Sequence, residues 1–294
     1  MVQNRWLEPV CCTVRLLDVP EHNPLIATAP AYPSRIVCLT EETTETLYLL
    51  GEEHRIVGIS GFTVRPPRAR REKPRVSAFT SAKIDRILAL EPDLVLGFSD
   101  LQADIASQLV RHGIEVHVFN QRSVAEILRM VRTLGGLVGR EAGGAVLALE
   151  LERGLEAIRL EAARFPVRPR VYFEEWDEPQ ISCIRWVSEL IGMAGGDDVF
   201  PELARQPLGK DRILADGLEA ARRQPDIIFG SWCGKKFSPR ALAARAGWHD
   251  VPAVRGGELH EVKSSIILQP GPAALTEGVR ELHRVIGAWV AKRA

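Results

Sequence analysis

The chain has 294 residues with 38 basic and 38 acidic side chains, so its formal net charge is zero. This balance excludes a strong field that would attract nucleic acid or an anionic membrane. No apolar run is long enough to span a bilayer, and the five cysteines show neither paired spacing nor a CxxC motif, which argues against a disulfide framework or a zinc site. A chain of this size can form two domains, each with its own core.

Residues 1–33 contain five prolines, and we expect them to form an irregular segment rather than a long helix. Charged residues interrupt the apolar stretches of this segment, so the continuous apolar region of a signal peptide is missing. On this ground alone we expect a cytoplasmic or already processed protein.

One αβ unit occurs twice in the sequence. Residues 91–97 read EPDLVLG, and residues 224–230, which lie 133 positions later, read QPDIIFG. In both copies a proline ends the preceding helix, an acid lies in the turn, an apolar strand follows, and a glycine ends the strand. A second pair, RIVCL at 35–39 and RVYF at 170–173, is offset by 135 residues, so two similar lobes are predicted.

Strands and helices alternate along the first lobe. Helix signals and apolar runs predict, in chain order, strand 36–39, helix 42–50, strand 56–59, helix 82–90, strand 94–97, helix 101–111 and strand 115–119. Strands joined by helices in this way form a parallel or mixed sheet.

The segment 123–165 has a helical pattern almost throughout, with a break at Gly135, Gly136 and Gly139. Its later part, 141–165, contains no proline and would span roughly 37 Å at 1.5 Å per residue, which is enough to connect two lobes. A continuous helix between lobes resists bending, so we expect only a small hinge motion.

The second lobe repeats the scheme, with strand 171–173, helix 186–193, helix 214–223, strand 227–230, helix 239–245, a short strand near 258–262 and a last helix from 271 or 272. The predicted fold is therefore α/β, with two Rossmann-like lobes whose parallel or mixed sheets are joined by a long interlobe helix. The predicted organisation is an irregular segment 1–33, an N-terminal lobe 34–122, the interlobe helix 123–165 and a C-terminal lobe 166–294.

Ligands of open parallel sheets bind at the loops beyond the carboxyl ends of the strands. Aromatic residues are concentrated in these predicted loops, notably Phe62, Phe79, Phe98, Trp176 and Trp232. We interpret them as the walls of a cleft that holds a large flat ligand, with Ser264 and Ser265 among the polar contacts. The alternative is that the rings cap the sheet ends as part of the core.

Acidic and cysteine side chains in the same loops leave several chemistries open. Glu174, Glu175 and Asp177 could act as acid, base or metal ligand, or could cap a helix or remain solvated. Cys233, which is followed two residues later by a pair of lysines, could be a nucleophile or a soft metal ligand, with the lysines lowering its pKa. No histidine lies nearby in sequence, and the chain contains no HxH, HExxH, GxGxxG or Walker A motif.

The motifs of the first half form a recognisable set: RIVCLT at 35–40, TETLYLLG at 44–51, VGIS at 57–60, two prolines at 66–67, RVS at 75–77 and KIDRILALEPDLVL at 83–96. From residue 34 to the C terminus the chain resembles the substrate-binding proteins of ABC importers for cobalamin, iron-siderophores and haem, the class with a helical backbone between lobes. Cobalamin-binding members look nearest. The resemblance implies two α/β lobes, a connecting helix, a ligand in the cleft and no catalysis.

The resemblance also implies roles for individual residues. Phe79 and Phe98 match cleft aromatics of cobalamin-binding relatives, and Trp176 is a looser match. Glu72 and Asp197 lie near the acids by which such relatives dock on arginines of the membrane transporter. The segments 232–236 and 264–272 depart from the general pattern, so the identity of the ligand stays open.

The predicted function is binding of a corrinoid such as cobalamin, or of a similar metal chelate, in the cleft and its delivery to an ABC permease. We expect a monomer without an intrinsic cofactor, which by the resemblance lies in the periplasm or elsewhere outside the cytoplasm. One alternative keeps the fold and exchanges the ligand for haem, a siderophore or a metal ion. The other is a cytoplasmic corrinoid-handling protein or an enzyme that uses Cys233.

Overall fold

The computed structural model of this protein describes residues 31–293, and the residues from Tyr32 onward form one compact unit. The predicted irregular segment 1–33 therefore lies almost entirely outside the described residues. Within 31–293, no helix combines the length and the apolar character needed to cross a membrane.

The N-terminal lobe contains a five-stranded parallel sheet with the strand order β3-β2-β1-β4-β5. Its elements are β1 (Ile36–Cys38), α1 (Glu41–Leu49), β2 (Ile56–Ser60), α2 (Ala69–Glu72), β3 (Arg75–Ser77), α3 (Ile84–Leu88), β4 (Leu94–Phe98), α4 (Ala103–Arg111) and β5 (Val116–Phe119). Short 3₁₀ helices occupy Glu53–Arg55 and Asp100–Gln102.

The strands of this sheet are buried on both faces, which is why they read as continuous apolar runs. In β4, Leu94 and Leu96 belong to the main core, whereas Val95 belongs to a separate cluster with Ile105 and Leu109 of α4. Alternate side chains of a strand point to opposite faces. Helices therefore cover both faces of the sheet.

The predicted interlobe helix is a pair of helices, α5 (Val124–Leu137) and α6 (Glu141–Ala162). They pack closely where Gly135 meets Gly144, because a Cβ atom added to Gly135 would lie 2.9 Å from the Gly144 Cα. Helix α5 contacts α1, so one member of the pair lies against the N-terminal lobe. The 22 residues of α6 span roughly 33 Å at 1.5 Å per residue.

The C-terminal lobe contains the second sheet, which is mixed and has the strand order β10-β9-β6-β7, and β8 pairs with the first residues of β6. Its elements are β6 (Arg170–Asp177), β7 (Gln180–Ser182), α7 (Arg185–Ala194), β8 (Asp197–Asp198), α8 (Pro201–Ala204), α9 (Glu219–Arg222), β9 (Ile227–Gly230), α10 (Pro239–Ala243), α11 (Pro252–Gly256), β10 (Leu259–Glu261), α12 (Ser264–Ile267) and α13 (Val279–Ala291). A 3₁₀ helix covers Gly209–Arg212, and a π-helical turn, Ala274–Gly278, leads into α13. Helix α6 packs against α7, α13 and this turn, so the helix pair bridges the two lobes.

Two predicted elements of this lobe are wrong in extent. Strand β6 continues to Asp177 instead of ending at Phe173, because β7 pairs with its second half in antiparallel orientation. The predicted helix 214–223 is reduced to α9, since the preceding residues form a turn in which Asp216 accepts a hydrogen bond from the Leu218 N–H at 2.7 Å.

The duplicated unit has the same backbone geometry in both lobes. The residues before the two Pro-Asp pairs, Glu91 and Gln224, both adopt a left-handed conformation with φ of 45° and 46°. The carboxylate of Asp93 accepts a hydrogen bond from the Arg35 N–H at 2.9 Å, and that of Asp226 accepts one from the Arg170 N–H at 2.9 Å. Each Pro-Asp turn is thus fastened to the first strand of its own lobe.

Candidate functional site

A cavity of about 560 Å³ lies between the two lobes. It is lined from the N-terminal lobe by Glu42, Phe62, Phe79, Phe98, Asp100, Leu101 and Arg122, and from the C-terminal lobe by Glu175, Ile184, Trp186, Pro207, Leu208, Gly209, Lys210, Arg212, Cys233, Leu268, Gln269 and Pro270. Most of the N-terminal residues follow the carboxyl ends of the sheet strands, which is where open parallel sheets bind ligands.

Four aromatic rings contribute to the wall of this cavity. Phe98 is the last residue of β4, and Phe62 and Phe79 follow β2 and β3. The buried amide of Gln102 aligns two of these strand ends, because its Nε2 donates to the Phe79 carbonyl at 2.8 Å and its Oε1 accepts from the Phe98 N–H at 2.9 Å. The fourth ring, Trp186 of α7, comes from the C-terminal lobe.

The rings differ in how much of their surface is exposed. Phe98 and Trp186 are 4% and 3% exposed and also belong to the main core, whereas Phe62 is 54% exposed. The Trp186 Nε1 donates to the Ile267 carbonyl at 2.9 Å, which fixes the orientation of that ring. Phe62 is therefore the ring with the most apolar surface left for a ligand.

Two arginines bring positive charge to the cavity. Arg212 is 2% exposed and forms a forked ion pair with Glu175, with N–O distances of 2.6 and 3.2 Å. The Arg122 guanidinium lies 4.8 Å from the centre of the Phe98 ring, and its Nη2 is 3.6 Å from the Asp100 Oδ1. Burial lowers the pKa of Arg122, an effect that Asp100 opposes.

Acidic residues at the start of α1 are buried next to the same cavity. Glu41 and Glu42 are 6% and 1% exposed, and the Thr40 hydroxyl donates to the Glu42 carboxyl at 2.7 Å. Burial raises the pKa of Glu42 to about 8 and also raises the pKa of Glu41. Glu42 therefore carries its proton at neutral pH and offers the cavity a hydrogen-bonding group without charge.

Cys233 is exposed and lines the cavity three residues after β9. Burial of the thiol raises its pKa, and the charges of Glu41 and Glu175 raise it further. The lysines were expected to lower this pKa, but the Lys235 Nζ pairs with Asp177 at 2.5 Å and lies over the Trp232 ring. The thiol form is favoured, which is the opposite of what an activated nucleophile requires.

Two of the predicted contact residues, Glu174 and Trp232, are buried in the core and are not among the residues that line the interlobe cavity. Glu174 is fully buried, pairs with Arg245 at 2.6 and 2.9 Å, and accepts from the Trp232 Nε1 at 3.0 Å. Because β6 continues as a strand, Glu174 points to the same face as Tyr172, whereas Glu175 points to the opposite face and the cavity. Trp176 is partly buried and packs against the core cluster of the C-terminal lobe that contains Tyr172 and Trp232.

The two predicted serines begin α12. Ser265 lines a different groove, together with Arg65, Glu277 and Arg284, and is not among the residues of the interlobe cavity. The cavity is reached instead by the residues that come after this helix, Leu268 to Pro270. Phe62, Phe79, Phe98 and Cys233 are thus the predicted contact residues that the structure brings together.

The two acids predicted to dock on a transporter are both exposed. Glu72, at the end of α2, accepts a hydrogen bond from the Tyr48 hydroxyl at 2.8 Å. Asp197 pairs with the Arg168 guanidinium at 2.8 Å and lies beside Arg170 at the amino end of β6. Asp197 is therefore at the end of the sheet that is farther from the cavity.

Sequence reasoning missed several cavity residues for identifiable reasons. Trp186 lies in the first turn of α7, and Arg212 ends a 3₁₀ helix, so neither belongs to a loop that follows a parallel strand. Arg122 does follow such a strand, because it is the third residue after the end of β5. The strand-end rule could therefore have found it. Glu42 also follows the carboxyl end of a parallel strand, β1, so the strand-end rule applies to it although it was not among the predicted contact residues.

The arrangement defines a class of protein: two α/β lobes, bridged by a helix pair, that hold a ligand between the carboxyl ends of their strands. Residues 36–265 match the family described as periplasmic binding protein. The chain belongs to that family.

Individual relatives have names that differ in ligand. A vitamin B12-binding protein of Vibrio parahaemolyticus is 24% identical over 250 residues, which cover 82% of this chain and 85% of the relative. A solved structure titled a possible iron-binding protein from Staphylococcus epidermidis matches with a TM-score of 0.74 and 20% identity, over 87% of this chain and 99% of the other. The periplasmic heme-binding protein RhuT from Roseiflexus sp. RS-1 matches with a TM-score of 0.71 and 22% identity, over 86% and 99%.

Proposed function

We propose that this protein binds a corrinoid, or a similar metal chelate, in the interlobe cavity and delivers it to an ABC importer. The observation that carries the proposal is the meeting of four aromatic rings from both lobes around one cavity of about 560 Å³. Rings supply large apolar contact area to a flat ligand at small entropic cost. The name of the Vibrio relative supports the choice of a corrinoid.

A haem or iron chelate is the second candidate, and the names of the two solved structures favour it. Haem iron in proteins is held by histidine, cysteine, methionine or tyrosine. Among the described residues that line the cavity, Cys233 alone belongs to this group. A corrinoid, whose cobalt carries its own axial ligands, needs no such residue, so we favour the corrinoid. A bare metal ion has less support, because the described residues contain no group of three or more His, Cys, Asp or Glu that could hold one.

Titration of the protein with cobalamin, haem and a ferric siderophore, followed by tryptophan fluorescence and ligand absorbance, tests the proposal. A bound chromophore beside Trp186 should quench its emission. Phe62→Ala should weaken binding roughly tenfold, since fully burying a phenylalanine contributes about 1.5–3 kcal/mol and Phe62 is already about half-buried without a ligand. Leu160→Ala, which removes an equally exposed apolar side chain on α6, should leave affinity unchanged. Absence of any spectral change at high micromolar ligand would exclude all three ligands.

The remaining parts of the proposal concern the partner and the compartment. We propose that the protein works outside the cytoplasm as a non-catalytic monomer, in keeping with the name of its family. We retain Glu72 and Asp197 as proposed docking acids, since both are exposed. Glu72→Ala with Asp197→Ala should weaken capture by the permease in proteoliposomes and leave ligand affinity intact. Glu150→Ala, at an exposed acid on α6, is the control, and equal capture by all three proteins would remove these acids from the proposal.

A further inference from the structure

One segment of the C-terminal lobe crosses to the N-terminal lobe beside the cavity. We call this segment, residues 268–273 between α12 and the π-helical turn, the interlobe strap. Its first three residues line the cavity. The Pro270 carbonyl accepts a hydrogen bond from the Gln121 Nε2 at 3.0 Å. The Ala273 N–H donates to the Glu45 Oε2 at 3.1 Å. The strap is therefore fastened to two parts of the first lobe, the residues after β5 and helix α1.

The strap approaches α1 closely at its centre. A Cβ atom added to Gly271 would lie 2.5 Å from the Cβ of Glu42, a residue that itself lines the cavity. Glycine, which has no Cβ, is the residue that permits this approach. Separation of the strap from α1 would therefore change two walls of the cavity together, the strap and Glu42.

An arginine of the N-terminal lobe joins the two lobes next to the strap. Arg65 lies in the loop between β2 and α2, and its Nη1 and Nη2 donate to the two carboxylate oxygens of Glu277 at 3.0 and 2.7 Å. Glu277 belongs to the π-helical turn that follows the strap. The Arg65 Nε donates to Glu45 at 2.9 Å. Because Glu45 also holds Ala273, the ion pairs and the strap form one network across the lobe boundary.

The two halves of this network differ in their access to solvent. The Arg65 side chain is 27% exposed, and its partner within the lobe, Glu45, is 11% exposed. Its partner across the boundary, Glu277, is 51% exposed. A forked arginine–carboxylate pair has the best geometry for such a contact, but solvent screens the exposed end. The contact between the lobes can therefore break and re-form while each lobe stays folded.

We propose that Arg65 and the interlobe strap form a latch that holds the two lobes closed over the cavity and limits the rate at which the ligand leaves. The part that concerns the ligand rests on the proposed function, whereas the closing of the lobes does not. Hinge closure around a ligand is a common transition in two-lobed proteins, and its reversal often limits release. The latch adds a contact that has to break before the ligand leaves.

Dissociation rates of bound cobalamin or haem, measured by stopped-flow absorbance with an excess of a competing binder, test the latch. Arg65→Gln removes both ion pairs and should raise the rate about tenfold, since loss of such contacts acts mainly on dissociation. Glu277→Gln removes only the exposed half and should raise it roughly threefold. High salt should bring the wild type closer to Glu277→Gln.

Glu281→Gln is the matched control for these variants. It breaks a forked ion pair with Arg284 in the same groove, but both partners belong to α13. Its dissociation rate should equal that of the wild type. The double variant Arg65→Gln with Glu277→Gln should release ligand no faster than Arg65→Gln alone, because both changes break one contact.

Two results would overturn the inference. One is a rate in Arg65→Gln equal to that of the wild type, and the other is the same acceleration in Glu281→Gln. If Arg65→Gln does not fold, an unchanged rate in Glu277→Gln would overturn it instead.

Hydrogen exchange of the Ala273 amide, followed by NMR, tests the latch without a ligand. This residue is fully buried and its N–H is held by Glu45 across the lobe boundary, so exchange requires the strap to separate. Exchange should be roughly threefold faster in Glu277→Gln than in the wild type and in Glu281→Gln. If no chelate binds, the proposed function fails, while this difference still supports the latch. Equal exchange in the three proteins would contradict the latch whether or not a chelate binds.

Discussion

In both lobes a Pro-Asp turn is hydrogen-bonded to the first strand. The acidic residues that follow Leu39 and Phe173 differ in secondary structure and in burial partners between the lobes. After β1, Glu41 and Glu42 begin a helix and are buried beside the cavity, with raised pKa values. After Phe173 the strand continues, and Glu174 is buried in an ion pair with Arg245. The two lobes therefore share the backbone of the Pro-Asp turn and the first strand. They differ in the acidic residues after that strand, which are buried with a raised pKa in the first lobe and in an ion pair in the second.

The ends of the two repeated strands differ in the same way. Phe98, at the end of β4, reaches the cavity, whereas Trp232, two residues after β9, is held in the core by Glu174 and packs edge-to-face on Phe237. The cavity side of the second copy is left to Cys233. A repeat in sequence therefore indicates equivalent backbone and does not indicate equivalent side-chain roles.

The largest expected effect belongs to the buried ion pair of the second lobe. Glu174→Gln should lower the free energy of unfolding by about 3 kcal/mol, because it leaves the Arg245 guanidinium largely buried without a counter-charge. Urea denaturation monitored by circular dichroism measures this loss. Adding Arg245→Met should recover part of the stability, and a double variant less stable than Glu174→Gln alone would refute the explanation. Unchanged stability in Glu174→Gln would show that the ion pair between Glu174 and Arg245 does not stabilise the second lobe.

Replacing a buried glutamate by glutamine in the first lobe, at Glu42, should raise the free energy of unfolding instead of lowering it. The pKa of Glu42 is raised from 4.5 to about 8 in the folded protein, so the unfolded chain releases this proton first as the pH rises. Stability is therefore lost between these two pH values. Glu42→Gln, which stays neutral, should be nearly silent at pH 4.5 and should stabilise the protein by about 2 kcal/mol at pH 8, below the limit of about 5 kcal/mol set by 1.36 kcal/mol per unit.

Unfolding free energies at several pH values measure this difference. Glu150→Gln, at an exposed position of α6, is the matched control and should leave the pH profile unchanged. A Glu42→Gln profile parallel to that of the wild type would show that this carboxyl ionises in the folded protein at its ordinary pH.

Substitutions in the two Pro-Asp turns should cause smaller losses of stability, and the loss should be larger in the first lobe than in the second. Asp93 accepts from the Ser34 N–H, the Ser34 hydroxyl and the Arg35 N–H at 2.7, 2.9 and 2.9 Å, whereas Asp226 accepts from the Arg170 N–H alone among the described residues. Asp93→Ala should cost about 2 kcal/mol and Asp226→Ala about 1 kcal/mol. Burial opposes ionisation of Asp93, but the N–H groups of Ser34 and Arg35 outweigh it and lower its pKa.

The pH dependence checks the origin of that loss. A lowered carboxyl pKa stabilises the folded protein above the unfolded value near 3.8 and loses this contribution as the pH falls further. The difference between wild type and Asp93→Ala, measured by chemical denaturation, should therefore shrink below about pH 4. A larger cost at Asp226 than at Asp93 would contradict the hydrogen-bond account.

The frame of this fold could be predicted because it depends on local patterns. Both Pro-Asp turns, the apolar strands and the amphipathic helices are determined by residues close in sequence, and the structure has them within a few residues of the predicted positions. The length of β6 could not be predicted in this way, because Glu174 to Asp177 look like a polar loop until β7 pairs with them. Glu174 pairs with β7 on one side and with Gly230 of β9 on the other, and its side chain is buried in the core rather than at the interlobe cavity.

The cavity was predictable only where it lies beyond strand ends. Phe62, Phe79 and Phe98 could be found from that rule, whereas Trp186 and Arg212 reach the cavity from a helix and a 3₁₀ turn that tertiary packing positions. A buried arginine such as Arg212 reads as a surface residue in sequence, since arginine is mostly exposed. Its partner Glu175 lies far from it along the chain.

The smallest expected effect is at Cys233, the residue that takes the cavity side of the second copy. Cys233→Ser keeps a small polar side chain at an exposed position, so ligand affinity should change by less than about twofold, or 0.5 kcal/mol. The raised pKa of this thiol leaves little thiolate for nucleophilic chemistry. A loss of affinity of tenfold or more, seen as a changed absorption spectrum of the bound chelate, would make the thiol a metal ligand and favour an iron chelate. A turnover that disappears in Cys233→Ser would instead make the protein an enzyme.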